Sequence, residues 1–230
     1  MLTPTTEQDV AEMVRGANGS LTVRGGGTRS LEAGGGEVIS TAGMSGVTLY
    51  EPGALTIVVQ AGTPVSEIEA VLAAENQRLP FEPPRMGPLL RRSGESTIGG
   101  VVAANASGPR RVQVGACRDS LIGVRFVDGH GDIIKNGGRV MKNVTGYDLV
   151  KLMCGAQGAL GVLTEVSFKV VPGVAVETTL SLEVEDAAGA VAAMSAALGS
   201  PFEVSGAAWS EGRVLLRLEG FVDCVAYRVE

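Results

Sequence analysis

The chain has 230 residues, of which 45% are hydrophobic and 19% charged, a composition that excludes intrinsic disorder and suffices for a main domain plus a smaller one. A formal charge of -6 offers no long-range attraction to nucleic acid or to anionic lipid, so no nucleic-acid partner is expected and any anion must be held locally. Cys117, Cys154 and Cys224 stand too far apart for a disulfide framework or for an iron–sulfur cluster ligated within this chain. No basic start followed by an apolar run opens the sequence and no apolar stretch is long enough to span a bilayer, so neither a signal peptide nor a transmembrane segment is expected.

Residues 4–14 read as a short helix entered at Thr5, with Gln8 completing the capping pattern three residues on. Residues 21–24 and 38–41 read as short strands, and 55–61 (LTIVVQA) as a strand buried on both faces. Thr63 and Pro64 then supply a cap and a first-turn proline for a helix to about residue 74, with Val65, Ile68 and Leu72 on one face. The proline-rich run PFEPPRMGP at 80–88 marks a subdomain boundary between this α/β unit and the next.

Beyond it, 98–105 is a small-residue segment able to form a tightly packed helix. Residues 121–127 and 132–135 flank DGHG as a hairpin, with Ile122, Val124 and Phe126 on one face. Thr145 can cap a helix over 147–154 whose core stripe is Leu149, Leu152 and Met153. Over 160–171, Val162, Thr164, Val166, Phe168 and Val170 alternate with Leu163, Glu165, Ser167 and Lys169 at the period of a strand, which Pro172 ends. A strand at 179–185, an Ala-rich helix at 186–198 and a strand at 213–219 follow. Strand, helix, strand is about half of a small α+β layer, so this segment is expected to be truncated or to dock on another subunit.

Three glycine-rich loops stand out. In VRGGGTRS (23–30), Gly25 and Gly27 match the first two glycines of a dinucleotide-binding turn, but Ser30 takes the third position and LEAGGG follows instead of a helix. No Gly-Lys-Ser/Thr ending exists for an ATPase-type phosphate loop. What remains is a short nest of backbone N–H groups at Gly25, Gly26, Gly27 and Thr28 able to meet phosphate oxygens, or an ordinary glycine-rich connection. SGESTIGGVVAANASG (93–108) brings Thr97, Gly99, Gly100, Asn105, Ser107 and Gly108, either to the same anion or to close packing of two elements. GAQGALGVL (155–163) enters the longest strand, where its backbone can receive a ring edge or make a tight turn.

Together with AGTPVSEIEAVLAAENQRLPFEPP, ESTIGGVVAANASGPRR, GGRVMKNVTGYD and GALGVLTEV, these loops make residues 4–172 resemble the FAD-binding domain of the vanillyl-alcohol oxidase family. Within that family the resemblance is to the FAD-binding subunits of glycolate oxidase complexes. It implies an α+β fold: a PCMH-type FAD-binding domain over 1–175, with subdomains at about 1–80 and 81–175, then a partial cap-like segment over 176–230. It also implies FAD at Arg24, Gly25, Gly26, Gly27, Thr28, Arg29 and Ser30; at Thr97, Gly99, Gly100, Asn105 and Gly108; and at Gly158, Gly161 and Val162. Many relatives carry a flavin-linked histidine after the first glycines; Thr28 stands there, which implies non-covalent FAD.

The resemblance further implies oxidation of a 2-hydroxy acid, glycolate, with a second flavoprotein subunit and an iron–sulfur subunit as partners. The location it implies is cytoplasmic, or peripheral on the cytoplasmic membrane through that complex. A free-standing D-lactate dehydrogenase and a non-catalytic structural subunit are the alternatives. No catalytic residue is legible: the only histidine, His130, lies in the DGHG turn, and Arg110, Arg111 and Arg118 fit ion pairs or solvent as well as an anion. Tyr147 and Asp148 can support a flavin pocket or start a helix.

Overall fold

The structure, a computed structural model, describes residues 1–29, 35–138 and 146–230. Ser30, the proposed cap Thr145 and most of GGRVMKNVTGYD lie outside the described residues. Helix α1 spans Glu7–Gly16, starting later than the sequence suggests because Thr6, not Thr5, is the cap. The Thr6 hydroxyl accepts from the Asp9 N–H at 3.1 Å, while the Asp9 carboxylate accepts from the N–H groups of Thr5 and Thr6, both at 2.9 Å, so Asp9 takes the role expected of Gln8. Strand β1 (Leu21–Arg24) pairs in parallel with β2 (Glu37–Ser40). They are followed by β3 (Val47–Glu51), β4 (Thr56–Gln60), α2 (Val65–Ala74) and β5 (Gln77–Arg78). Thr63 does not cap α2: it is fully buried, and its hydroxyl donates to the Gln60 carbonyl at 2.7 Å and accepts from the Gly46 N–H at 2.9 Å, tying the entry of β3 to the end of β4.

The middle of the chain forms α3 (Met86–Leu89), α4 (Ile98–Ala103), α5 (Arg111–Val114), α6 (Cys117–Ser120), β6 (Leu121–Val127), β7 (Ile133–Gly137), α7 (Leu149–Met153), β8 (Val162–Lys169) and β9 (Val171–Pro172). One sheet, ordered β3-β4-β8-β6-β7 and antiparallel throughout, is the frame. β8 lies at its centre and is buried on both faces, so Leu163 and Ser167 are as enclosed as Val166 and Phe168. Helices α2 and α4 cover the sheet with Ile68, Leu72, Ile98 and Val101, and Phe81 packs its ring on Phe168 with centroids 5.5 Å apart. In α7, Asp148 is the cap, its carboxylate accepting from the Lys151 N–H at 3.1 Å. The helix has five residues and buries Val150 and Met153, whereas Leu152, expected in its core stripe, is 55% exposed.

Strand β10 (Val176–Glu183), helix α8 (Ala187–Leu198), strands β11 (Gly206–Ser210) and β12 (Arg213–Gly220) and helix α9 (Val222–Val229) complete the chain. β11 and α9 were not legible in the sequence. The antiparallel sheet β10-β12-β11 has its own core, where Val214, Leu216 and Leu218 meet Ala190 of α8 and Val225 of α9. The neighbouring positions of β12, Arg217 and Glu219, make ion pairs with the preceding part of the chain. Glu219 pairs with Arg78 at 2.7 Å and with Arg110 at 3.4 Å, and Arg217 pairs with Glu82 at 2.8 Å. Arg110, read in the sequence as an anion contact or an ion pair, is therefore a buried ion pair.

Burial works to raise the pKa of Glu219, but the Ser205 hydroxyl and the Arg78 and Arg110 guanidinium groups outweigh it, and the net shift is downward. A carboxyl whose folded pKa is depressed contributes stability above its unfolded value, and that contribution is lost as pH falls through the folded value. Glu219→Gln is thus expected to lower stability at neutral pH by about 3 kcal/mol, because the buried Arg110 and the partly buried Arg78 lose their counter-charge. Urea unfolding should show the two proteins converging as pH drops below the ordinary carboxylate range; a constant gap at every pH would show that the charge is not what matters.

Candidate functional site

Three chain segments meet around one cavity. β1 runs into Gly25, α4 begins after Thr97, and the loop of residues 155–161 leads into β8. Backbone hydrogen bonds lock them in register: Gly99 N–H to Ala61 O at 2.8 Å, Gly155 N–H to Val102 O at 3.0 Å and Gln157 N–H to Ala103 O at 2.8 Å. Between them lies a cavity of about 630 Å³, inside the range of about 300–1,000 Å³ usual for cofactor sites. A recess of about 60 Å³ adjoins it, sharing Val23, Gly25, Gly100, Ala103 and Gln157 as walls.

Arg24, Gly25, Gly26, Gly27, Thr28, Arg29, Thr97 and Gly100 all line the main cavity. Gly99, Gly158 and Gly161 line the recess. The structure thus brings together eleven of the fifteen residues that the resemblance singles out. Asn105, Gly108 and Val162 line neither space. Asn105 sits just beyond α4 with φ 46°, its side-chain oxygen accepting from the Arg118 N–H at 3.0 Å. Gly108 lies against the backbone of Glu82, where a Cβ would come within 2.5 Å of the carbonyl oxygen. Val162 is 3% exposed and packs with Val10, Met44 and Val127. His130 is exposed in its turn, and Tyr147 is 88% exposed and outside both spaces.

The glycines differ in what they make room for. A Cβ on Gly26 would lie 1.6 Å from the Glu95 carbonyl oxygen, and one on Gly25 would lie 2.3 Å from Thr97 Oγ1. These two residues let the glycine loop touch the segment before α4, Gly26 against the backbone of Glu95 and Gly25 against the side chain of Thr97. A Cβ on Gly100 would meet only Thr97 Oγ1, at 3.4 Å, and would otherwise enter the open space that Gly100 lines.

The polar lining fits an anion. Arg24, Arg29 and Arg92 line the main cavity, and among the described residues no carboxylate does. Arg29 is half-buried, and desolvation lowers its pKa against the opposing influence of the Cys117 thiol, so a nearby negative charge would stabilise it. The Thr97 hydroxyl is buried at the cavity wall without a hydrogen-bond partner, which calls for one that the protein itself does not provide. Thr28 is 5% exposed and exchanges a 3.0 Å hydrogen bond with Ser96. Thr22, Thr41, Arg92, Ser96 and Gln157 are polar lining residues that reading the sequence missed; single polar residues in short strands and loops have no periodicity to reveal them.

Among known families, residues 1–137 match the FAD binding domain family. The chain belongs to this FAD-binding family. It is 41% identical over 177 residues to the glycolate oxidase subunit GlcE of Escherichia coli, an alignment that covers 76% of this chain and 48% of that protein. It is 36% identical over 180 residues to the glycolate oxidase subunit GlcD of Bacillus subtilis, covering 78% of this chain and 36% of the relative. To the D-lactate dehydrogenase of Anaerostipes hadrus it is 33% identical over 175 residues, covering 73% and 35%. The aligned part amounts to about half of the length of these relatives or less. A solved structure of alkyldihydroxyacetonephosphate synthase superposes with a TM-score of 0.77 at 18% identity, over 99% of this chain and 48% of that one, which shows a shared fold. The architecture is the mixed α/β, PCMH-type FAD-binding fold that the resemblance implied.

FAD carries a diphosphate and two heteroaromatic ends, and the arginines, the unpartnered Thr97 hydroxyl and the side-chain-free wall at Gly100 suit such a group. Replacing Gly100 with Val should leave the fold intact while weakening FAD binding about tenfold or more, since overpacking of a fitted space costs about 1–3 kcal/mol. Gly26→Val should lower both the melting temperature and the affinity, because the side chain displaces the backbone at Glu95. Titrating flavin-free protein with FAD alongside thermal melts separates the two; a Gly100→Val variant with unchanged affinity would remove FAD from this cavity.

Proposed function

We propose that the chain is the FAD-binding part of a glycolate-oxidising complex, with residues 1–175 holding the cofactor and residues 176–230 forming part of a cap over it. The observation that carries this reading is the pairing of an anion-suited cavity with 41% identity to a glycolate oxidase subunit. On this reading Arg24, Arg29 and Arg92 hold the diphosphate, and the Thr97 hydroxyl donates to it. A bound flavin supplies the two-electron acceptor for the α-carbon of a 2-hydroxy acid.

What remains for the protein is to bind the substrate carboxylate and to take the hydroxyl proton. Among the described residues that line the two spaces there is no histidine, tyrosine or carboxylate to act as that base. This supports dependence on other groups: a second flavoprotein subunit and an iron–sulfur subunit in a cytoplasmic or membrane-peripheral complex, the latter receiving the electrons. No helix among the described residues is long and apolar enough to cross a membrane. Among the described residues neither a histidine nor a cysteine lines the spaces, which supports dissociable rather than covalently linked FAD.

A free-standing D-2-hydroxy-acid dehydrogenase is the second reading, favoured by the 33% identity to a D-lactate dehydrogenase. Denaturing the purified protein is expected to release unmodified FAD, and flavin retained on the polypeptide would contradict the dissociable site. Glycolate and D-lactate assays with an artificial electron acceptor should show little turnover by this chain alone and a gain with co-expressed partner subunits. Rapid turnover by the isolated chain would replace the subunit reading with the second one, and a protein unable to bind FAD would make it a structural subunit.

A further inference from the structure

The three cysteines are far apart in the sequence, but the fold brings two of them together. Cys117 is the first residue of α6, and Cys154 follows the last residue of α7. Both belong to the central core, at 0% and 7% exposure, and both are free thiols. Cys154 Sγ donates to the Asn105 side-chain oxygen at 3.5 Å, and the same oxygen accepts at 3.0 Å from the N–H of Arg118, the residue next to Cys117. The Cys117 thiol in turn donates to the Cys154 sulfur. Cys224, by contrast, is exposed on α9.

The two sulfurs have different surroundings. Lys151 Nζ donates to the Arg118 carbonyl and, at 3.4 Å, to the Leu121 carbonyl, which holds its charge beside the pair. The hydrogen bond from Cys117, with the charges of Lys151 and Arg118, outweighs burial and lowers the pKa of Cys154. The same hydrogen bond and its own burial push Cys117 well above the ordinary thiol range. Burial alone would raise both. One sulfur of the pair is thus suited to attack as a thiolate and the other to follow as a thiol, the division of labour between an attacking and a resolving cysteine.

We propose that Cys117 and Cys154 are a reversible redox pair, closed to a disulfide by hydrogen peroxide or another hydroperoxide. The Cys154 thiolate attacks one peroxide oxygen; an S–O bond forms, the O–O bond breaks, and the departing hydroxide takes up the proton that Cys154 released and leaves as water. Cys154 is then a sulfenic acid, oxidised by two electrons. The Cys117 sulfur attacks it, an S–S bond forms as the S–O bond breaks, and the Cys117 proton leaves with the hydroxyl as a second water. Two thiols and one peroxide give one disulfide and two waters. The bond joins α6 to the start of the 155–161 loop, whose Gly155 and Gln157 N–H groups are held by Val102 O and Ala103 O, so it braces one wall of the recess. Nothing in this step depends on what the cavity binds.

The test treats the protein as purified with hydrogen peroxide, alkylates the remaining thiols after denaturation and maps the peptides by mass spectrometry. Expected are Cys117 and Cys154 peptides joined with the loss of two hydrogen atoms, Cys224 outside the bond, and return of both thiols with dithiothreitol. Cys117 and Cys154 still open to alkylation after peroxide has oxidised the exposed Cys224 would overturn the proposal, as would oxidation of either one without the link. In Cys117→Ala, Cys154 should accumulate as sulfenic or sulfinic acid, whereas in Cys154→Ala the fully buried Cys117 should stay reduced; the reverse pattern would contradict the assigned roles. Wild type should melt no lower when oxidised than when reduced, because neighbouring thiols need little rearrangement to join. A fall in melting temperature would mean that the bond forms only by distorting the fold, and would also overturn the proposal.

Discussion

The site depends on one contact: the backbone of Gly26 against the carbonyl of Glu95, so close that a Cβ there would sit 1.6 Å from the oxygen. Two loops from distant parts of the sequence can share a wall only if neither has a side chain between them. Gly25 against Thr97 and Gly99 against Ala61 continue the same seam. Because the contacts of Gly26 and Gly99 are backbone to backbone, the cavity is shaped in large part by the least deformable part of the molecule. A chain with net charge -6 concentrates Arg24, Arg29 and Arg92 along this wall, with no carboxylate among the described lining residues, so attraction for an anion is local.

The C-terminal sheet is joined to this arrangement by electrostatics as much as by packing. Its own core is small and separate, centred on Val214, Leu216 and Leu218. The opposite positions of β12 reach back to Arg78, Glu82 and Arg110, which lie around the proline-rich run and just beyond α4. Glu219 is therefore a fastening between the C-terminal sheet and the part of the chain that precedes it. Breaking it leaves the buried guanidinium of Arg110 without its counter-charge, a larger penalty than the loss of a surface pair.

Much of this was legible in the sequence, and the misses have physical causes. β4 is a run of β-branched residues, β8 lies in a stretch that alternates at the period of a strand and α2 has a clean apolar stripe, so these elements follow from sequence pattern alone. β3 is a short, half-buried edge strand between Gly46 and Pro52, β11 reads GAAWS with no β-branched residue, and neither has a pattern strong enough to stand out. The stripe expected for α7 was displaced because capping at Asp148 shortens the helix and turns Val150 inward. The three loops of the site were legible as glycine clusters, but the task of each glycine was not. Gly108 makes room for the backbone of Glu82 and Gly161 for that of Val127, whereas Gly100 leaves space open; composition looks the same in all three.

The claim that the glycine loop, the segment before α4 and the 155–161 loop form one FAD-binding wall is tested most directly by amide hydrogen exchange with and without FAD. If the account is right, FAD slows exchange in all three segments together, saturating at one FAD per chain, with little change on the far side of the C-terminal sheet. Slowing confined to one segment, or protection appearing elsewhere while these three exchange as before, would contradict it.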